Sequence, residues 1–235
     1  MTSRYEIKKI SEGYINIIGC DEVGRGCLAG PVVATAVVFS FENRPKWFAD
    51  IKDSKQLLPA KREYLSKLIK SESVWSIAEV PPEVVDEINI HNASLLAMHR
   101  AVDGLTLGVI PESRPEDNLS AMFGIHLKQG SGSRLGGRDD TLRYFLAVDG
   151  KFKVPNLAMN QEAIIAGDNK VLSIAAASII AKVYRDGLMA KLHKTFPVYN
   201  FARHKGYATE HHRKMVIRHG LSPIHRLSFC QKLSA

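Results

Sequence analysis

Residues 14–39 read YINIIGCDEVGRGCLAGPVVATAVVF, and this stretch decides the fold. The β-branched run at residues 14–20 predicts one strand, and the apolar run at residues 31–39 predicts a second one. The glycines between the two runs are typical of a turn. An acidic pair, Asp21 and Glu22, directly follows the first predicted strand. We therefore expect two strands joined by a glycine-rich turn that begins with two carboxylates.

The rest of the chain predicts a cluster of strands followed by helices. Further strands are predicted at residues 74–80, 144–148 and 163–166. Helical spacing of apolar residues predicts helices at residues 59–69, 172–196 and 209–219, and two short helices between residues 83 and 105. This order is typical of an α/β fold in which helices cover a mixed sheet. We expect one domain over residues 1–235, with a helical, basic subregion from about residue 188 to residue 235.

Residues 111–141 differ from their surroundings in composition. They contain two prolines and the stretch QGSGSRLGGRDD, with little periodicity. This composition predicts a long loop and not a second domain. Two interpretations stay open for its basic residues, which are contact with DNA or no role in binding.

The overall composition excludes several classes of protein. The chain has 235 residues, of which 45% are hydrophobic and 24% charged, as in an ordinary globular domain with its own core. Its three cysteines show no C-x-x-C spacing, which predicts reduced thiols. No apolar run reaches the roughly 18 residues of a membrane span, and the charged N-terminus does not resemble a secretory signal. We therefore expect a cytoplasmic protein that does not contact a membrane.

The formal net charge of +8 is concentrated near the C-terminus. Residues 203–232 hold seven Lys or Arg against one acid, Glu210, and also five of the nine histidines. Two interpretations stay open. The segment is a solvated basic helix face, or it is a surface on which Lys and Arg displace counterions from nucleic-acid phosphates.

Carboxylates follow three separate predicted strands. The pair Asp21–Glu22 follows the first strand, Asp149 follows the strand at residues 144–148, and Asp168 follows a later apolar run. Any one of these acids alone is compatible with a plain polar turn. If the strands are neighbours, however, the four acids meet at one edge of the sheet and repel one another. Oxygen ligands of this kind suit Mg²⁺ or Mn²⁺, so the sequence predicts a site for two divalent ions that act on a phosphodiester.

Eight segments occur in the order that is characteristic of one known family. They are DEVGRGCLAGPVV (21–33), DSKQL (53–57), NASLLAMHRAV (92–102), VDG (148–150), GD (167–168), AASIIAKVYRD (176–186), HKGYAT (204–209) and HRLSF (225–229). In these motifs the chain resembles ribonuclease HII. The resemblance implies a ribonuclease H-like α/β fold, with a five-stranded mixed sheet flanked by helices and a helical C-terminal part.

The resemblance also implies an activity and its partners. The expected enzyme is a ribonuclease H, an endonuclease that hydrolyses the RNA strand of RNA–DNA hybrids. It also nicks duplex DNA on the 5′ side of a single embedded ribonucleotide, and it leaves 5′-phosphate and 3′-hydroxyl ends. Such an enzyme serves ribonucleotide removal and RNA primer removal. The implied cofactors are two Mn²⁺ or Mg²⁺ ions.

The motifs assign roles to individual positions. The implied metal-binding catalytic carboxylates are Asp21, Glu22, Asp149 and Asp168. The implied substrate contacts are Gly24, Arg25 and Gly26, which read the 2′-hydroxyl at the junction with DNA, and Tyr207, which packs against the sugar there. A 2′-hydroxyl is what distinguishes RNA from DNA at such a position.

Other positions in the motifs have more than one interpretation. Lys55 and Lys182 are expected near substrate phosphates or near the acidic cluster, where balance of charge alone also explains a lysine. Asp186 is expected in a structural ion pair or cap. Ser178, in a run of small residues, is expected to serve close helix packing.

The chain departs from the family pattern at a few places. Cys27 stands where many relatives carry proline, and residues 111–141 are longer than the family's usual loop. After HRLSF we find no clear peptide for docking onto a sliding clamp, so that partner is left undecided, and we expect a monomer. The histidines near the C-terminus, with Cys230, fit no zinc spacing.

Three other classes of protein share some of these features. Ribonuclease HIII carries an additional N-terminal domain, and we do not expect that class because only 20 residues precede Asp21. A Holliday-junction resolvase or transposase-like nuclease also uses acids at strand ends, but the GRG and HKGYAT motifs argue against it. A non-catalytic nucleic-acid-binding protein would keep the basic segment, yet it predicts the loss of one or more of the four acids, which are all present.

Overall fold

The structure, a computed structural model, describes residues 3–39, 41, 45–106, 144–231 and 233. The predicted loop at residues 111–141 lies outside them. Within these ranges one mixed sheet has five strands in the order β3-β2-β1-β4-β5, which confirms the predicted sheet. The strands are β1 (Asn16–Val23), β2 (Val32–Phe39), β3 (Ser73–Val80), β4 (Tyr144–Asp149) and β5 (Asn160–Ile164).

Strand β1 lies at the centre of the sheet and has two different neighbours. It runs antiparallel to β2 as far as the pair Val23–Val33, but its parallel pairing with β4 ends at Cys20–Val148. The prediction that the acidic pair follows the strand was therefore wrong, because pairing with β2 carries the strand through that pair. The last strand was also predicted in the wrong place, at residues 163–166, since β5 ends at Ile164, before the left-handed residue Ala166.

Helices lie on both sides of the sheet. They are α1 (Arg4–Ser11), α2 (Pro59–Glu72), α3 (Pro82–Thr106), α4 (Leu172–Thr195), α5 (Phe201–His204), α6 (Glu210–His219) and α7 (Leu227–Cys230). Helix α3 is interrupted at Asn89, which has a φ of 65°. Its side chain accepts hydrogen bonds from the amides of His91 and Asn92 and so starts the second helical part, as the sequence predicts. Across the described ranges, no helix combines the length and the apolar character that a bilayer span requires.

The alternation of side chains along the strands divides the core into two layers. Ile18 and Cys20 of β1 face α3, together with Leu146 and Val148 of β4. The intervening residues face α4 and α2, as Val37 of β2 does. Because successive side chains of a strand point to opposite faces, every second residue at the ends of β1 and β4 points toward α4.

Helix α4 packs unusually close to the central strand. A Cβ atom at Gly19 would lie only 2.1 Å from the backbone carbon of Ser173, so this contact requires glycine. The first half of α4 is buried on all sides and carries three consecutive alanines at residues 175–177. Small residues on both partners therefore bring α4 against the end of β1 where the acidic pair lies.

Three buried histidines join the C-terminal helices. The amide of Ser222 donates to His225 Nδ1 (2.9 Å), so the ring proton of His225 lies on Nε2 and is donated to His212 Nε2 (3.0 Å). His212 Nδ1 then donates to the carbonyl oxygen of Tyr207 (2.9 Å). The ring of His204 stacks on His212 with a centroid separation of 4.3 Å. The rings of His212 and His225 are therefore neutral, because each of their nitrogens has one defined role in this series of hydrogen bonds, as donor or as acceptor.

The network predicts a loss of stability in mild acid. Burial lowers the pKa of both His212 and His225 to about 4, whereas the unfolded chain takes up these protons near pH 6.5. As the pH falls from 7 to 5, the unfolded state gains protons that the folded state does not bind. The free energy of unfolding therefore falls by roughly 2 kcal/mol for each histidine. Urea unfolding at both pH values measures this loss.

A histidine substitution separates this effect from other titrations. We expect His225→Gln to show a clearly smaller loss between pH 7 and 5 than the unmodified chain. The matched control is His219→Gln, since His219 is exposed at the end of α6. Equal pH dependence for all three chains would show that the buried rings do not couple stability to pH.

Candidate active site

Asp21 and Asp149 are neighbours across two parallel strands. The last pair in the β1–β4 register is Cys20–Val148, so the next residue on each strand is one of these acids. Both point to the α4 side of the sheet. Asp21 is only 6% exposed, and its Oδ1 accepts a hydrogen bond from the amide of Glu22 (2.8 Å).

Glu22 and Asp168 extend this acidic edge in two directions. Glu22 Oε1 accepts from Arg25 Nη1 at 3.0 Å, but its Oε2 is buried and has no hydrogen-bond partner among the described residues. Asp168 lies in the 3-10 helix Gly167–Asn169 that follows β5. The amide of Gly167 donates to Asp149 Oδ1 (2.6 Å), which ties the turn with Asp168 to the end of β4.

Burial and mutual repulsion raise the pKa of three of these acids. Burial is the main cause for Asp21, whose pKa lies well above its ordinary value, and repulsion from Glu22 and Asp149 adds to it. A hydrogen bond from Ser178 partly opposes this shift. Burial also raises the pKa of Glu22, against the opposing attraction of Arg25. The four acids therefore repel one another, and the neighbouring basic side chains only partly compensate their negative charge.

Asp168 has a second acidic neighbour that the sequence analysis missed. Burial raises the pKa of Asp168, and repulsion from Asp149 and then Asp53 adds to this, while Lys55 opposes it. Asp53 is nearly buried and accepts a hydrogen bond from the amide of Lys55 (2.9 Å). In the sequence, Asp53 could have been recognised from its position as the first residue of the DSKQL motif.

Lys55 lies at the Asp168 end of the acidic edge, whereas Arg25 lies at the Glu22 end. Lys55 Nζ lies 3.8 Å from Asp168 Oδ2. Partial burial works against its charged form, but attraction to the acids outweighs this and raises its pKa. The acids that attract it are Asp168, Asp53, Asp21 and Asp149. Because its side chain is 79% exposed, the ammonium group can also reach a ligand in front of the site.

The chemistry of this edge fits a divalent cation. Carboxylate oxygens are the ligands that Mg²⁺ and Mn²⁺ prefer, and the buried, unpartnered Oε2 of Glu22 is free to act as one. A bound cation would also relieve the repulsion that raises the pKa values. In this conformation, however, no three acidic, histidine or cysteine side chains of the described residues converge tightly enough to enclose an ion. Arg25 meanwhile occupies the other oxygen of Glu22.

The glycines of the turn after β1 have different reasons to be glycine. Gly24 has a φ of +97°, and a Cβ atom there would lie 2.3 Å from Arg185 Nε, so the fold itself requires it. Gly26 has no such constraint, since a Cβ atom on it would have open space within 4 Å. Both Arg25 and Gly26 are exposed, and the backbone at Gly26 is open to close approach by a ligand.

Tyr207 and Lys182 lie beside this turn. Tyr207 forms an isolated β-bridge with Cys27 and is 39% exposed. Lys182 Nζ lies 5.7 Å from the centroid of the Tyr207 ring and 2.8 Å from Asp186 Oδ1. Lys182 is therefore placed by an ion pair and by the tyrosine, whereas Lys55 is the lysine at the acidic edge.

One stripe of helix α4 reaches all these groups. Spacings of four and three residues place Ser178, Lys182, Arg185 and Met189 on the same side of the helix. Ser178 bonds to Asp21 and lies 2.9 Å from Ser54 Oγ, so its hydroxyl has a role beyond the close packing predicted from the sequence. Arg185 was missed, because a buried arginine has no signature in a single sequence.

The basic C-terminal segment is less exposed than its composition suggests. Arg226 is completely buried, and Lys214 is paired with Glu210 at 2.7 Å. Three of its five histidines belong to the buried neutral network described above. The exposed arginines of this segment are Arg203, Arg213 and Arg218.

Comparison with known proteins shows similarity to one family. The family model for ribonuclease HII matches residues 18–122 and 143–232. A ribonuclease HII from Caldicellulosiruptor bescii is 40% identical over 229 residues, which cover 97% of this chain and 93% of that protein.

Solved structures share the fold. The ribonuclease HII of Archaeoglobus fulgidus, solved in complex with PCNA, matches with a TM-score of 0.65 at 23% identity, over 93% of this chain and 97% of that one. Bst-RNase HIII, solved in complex with Mn²⁺, matches with a TM-score of 0.64 at 18% identity, over 96% of this chain and 71% of that one. Given the family match over most of its length, this chain belongs to the ribonuclease HII family and is an endoribonuclease of the ribonuclease H type.

Proposed function

We propose that this enzyme hydrolyses the RNA strand of RNA–DNA hybrids and nicks duplex DNA on the 5′ side of a single embedded ribonucleotide. The products would carry 5′-phosphate and 3′-hydroxyl ends, as required for ribonucleotide and primer removal. The observation that carries the proposal is the direct connection of the four-acid edge to the exposed turn of Arg25 and Gly26 through strand β1. A phosphodiester at the acids would therefore have its sugar next to this turn.

The proposed metal ligands are Asp21, Glu22, Asp149 and Asp168. Two bound Mg²⁺ or Mn²⁺ ions would supply an activated water and stabilise the leaving oxygen. The protein's own part is to hold the carboxylates close together in a largely buried edge. Ser178 contributes by bonding to Asp21, and the amide of Gly167 contributes by bonding to Asp149.

The basic groups around the edge have complementary proposed roles. Arg25 pairs with Glu22 at 3.0 Å, so a cation at Glu22 would free its guanidinium for a substrate phosphate. Lys55 is exposed and faces Asp168, where it would also meet a phosphate. These residues would hold the substrate backbone without reading its sequence.

The sugar is proposed to be read by backbone and ring contacts. The exposed amide of Gly26 can approach a 2′-hydroxyl closely because the residue has no side chain. The half-exposed ring of Tyr207 lies across the Cys27 bridge from this turn, and it would pack against the sugar at the RNA–DNA junction. Lys182, above the same ring, would place positive charge near the adjoining phosphate.

A cleavage assay tests the activity and its metal site together. A DNA duplex with one ribonucleotide should be nicked 5′ of that ribonucleotide when Mg²⁺ or Mn²⁺ is supplied. Asp149→Asn should lower kcat at least about 10²- to 10³-fold, because the metal's charge stabilisation is worth several kcal/mol. Binding of the duplex should be largely retained.

The matched control for this assay is Asp50→Asn, which neutralises an exposed acid paired with Lys61. It should cleave at the normal rate. No cleavage by the unmodified enzyme with either ion would refute the proposed function, and full activity of Asp149→Asn would refute the assigned site.

Removal of the Tyr207 ring should affect one class of substrate more than the other. Contacts of an aromatic ring with a nucleotide are worth about 1–3 kcal/mol. We therefore expect Tyr207→Ala to lower kcat/KM roughly ten- to a hundredfold on a single-ribonucleotide duplex, and much less on a long hybrid. Tyr64→Ala, which removes another exposed tyrosine, is the control. An equal loss on both substrates would remove the recognition role of Tyr207.

Metal binding should appear in the thermal stability of the chain. In the folded state the pKa of Asp21 is raised, so the fold loses stability as the pH rises above the ordinary carboxyl pKa of about 3.9. Asp21→Asn should therefore raise the metal-free Tm by about 2–4 °C. Mn²⁺ at a hundredfold excess over its Kd should raise the Tm of the unmodified chain by roughly 5–10 °C.

The same thermal scans on two variants test whether Mn²⁺ binds at the acidic edge. For Asp21→Asn the rise with Mn²⁺ should be much smaller, whereas for Asp50→Asn it should match that of the unmodified chain. Equal rises in all three chains would mean that Mn²⁺ binds elsewhere.

A further inference from the structure

Two arginines are buried completely behind the turn that contains Arg25 and Gly26. Arg185 of α4 and Arg226, just before α7, are both 0% exposed and are the largest fully buried side chains of the described residues. A buried cation is normally paired with a carboxylate. Within the described ranges, neither guanidinium forms a salt bridge with an acid.

Both guanidiniums bond to main-chain carbonyl groups instead. Arg185 donates to Pro31 (3.0 Å), Ala29 (3.1 Å) and Lys205 (2.8 Å). Arg226 donates twice to Gly30 (3.0 and 2.8 Å) and once to Arg25 (2.9 Å). Four of these five carbonyls belong to residues 25–31, the segment that joins β1 to β2.

This segment has little regular structure to hold it in place. Its amide of Leu28 donates to Gly206 (2.9 Å), and its carbonyl of Leu28 accepts from the amide of Arg226 (2.8 Å). It thus lies between the chain at Gly206–Tyr207 and the chain at Arg226. The two guanidiniums bond to four other carbonyls of this segment, those of Arg25, Ala29, Gly30 and Pro31, and Arg185 also bonds to Lys205, so they connect all three segments.

The bond from Arg226 to Arg25 has a consequence for the next amide. In a planar trans peptide, the C=O and N–H groups point in opposite directions. Because the carbonyl of Arg25 points inward to Arg226, the amide of Gly26 points outward. Among the described residues that amide has no hydrogen-bond acceptor, and Gly26 is exposed.

We propose that Arg226 and Arg185 are positioning residues for recognition of the ribonucleotide, a role that rests on the proposed function. Arg226 orients the Arg25–Gly26 peptide, so that the Gly26 amide can donate to the 2′-hydroxyl. Arg185 bonds to both Ala29 and Lys205 and so sets the separation between this turn and the Tyr207 ring. Neither arginine touches the substrate.

The geometry requires arginine and not merely a positive charge. A guanidinium presents five N–H donors in a rigid plane, whereas an ammonium group is a compact point charge. Lysine at position 226 could reach the Gly30 carbonyl or the Arg25 carbonyl, but not bridge both in the same way. Arg226→Lys therefore keeps the charge and removes the orientation of one peptide.

The test compares two duplexes for one variant. A neutral hydrogen bond, such as one from the Gly26 amide to a 2′-hydroxyl, contributes about 0.5–1.5 kcal/mol, which corresponds to a factor of roughly 2–10. We expect Arg226→Lys to lower the preference in Ca²⁺ for a single-ribonucleotide duplex over an all-DNA duplex of the same sequence, measured as the ratio of their Kd values, by about that factor. Its affinity for the all-DNA duplex, and the Mn²⁺ dependence of its kcat on the single-ribonucleotide duplex, should stay close to those of the unmodified enzyme.

A destabilised control separates this effect from a general loss of stability. Val216→Ala shortens a buried side chain in the same C-terminal core and should lower the Tm without changing the ratio of the two Kd values. If Arg226→Lys also leaves this ratio unchanged, or weakens binding of both duplexes equally, the positioning role is wrong. If the unmodified enzyme does not cleave the single-ribonucleotide duplex, it is the proposed function that fails.

A measurement on the unmodified chain covers the case in which the variant does not fold. The ¹⁵N resonances of the Arg226 guanidinium should shift when a single-ribonucleotide duplex is added in Ca²⁺. They should shift much less with an all-DNA duplex of the same sequence. Identical shifts with both duplexes would overturn the proposal.

Discussion

The rest of the structure depends on the placement of four carboxylates at one edge of the sheet. Parallel pairing of β1 with β4 puts Asp21 beside Asp149, and the turn after β5 adds Asp168. Charges of one sign in a buried edge raise one another's pKa, so this arrangement destabilises the isolated chain. The surrounding groups reduce that repulsion only in part, through Arg25 at one end and Lys55 at the other.

Helix α4 connects this edge to the surface where the substrate is proposed to bind. Its approach to β1 depends on the missing side chain of Gly19. Along one side of the helix, Ser178 bonds to Asp21, Lys182 lies over Tyr207, and Arg185 holds the turn after β1. The groups proposed for chemistry and those proposed for recognition are therefore positioned by one helix.

The sequence predicted the parts of this arrangement that depend on local pattern. The strands, most helices and the four acids follow from runs of apolar residues and from the carboxylates near the strand ends. Contacts between distant segments were not predictable in this way. Asp53 beside Asp168, Ser178 on Asp21 and Arg226 under Arg25 depend on how the elements pack. The net charge of the C-terminal segment was also misleading as a surface property, because composition does not distinguish a buried arginine from an exposed one.

The most direct test of the account is the location of the metal ion. Crystals of this protein soaked in Mn²⁺ should give anomalous difference peaks between the carboxylates of Asp21, Glu22, Asp149 and Asp168, with Arg25 displaced from Glu22. If strong peaks appear only away from these four side chains, or if none appears at saturating Mn²⁺, the acidic edge is not the metal site.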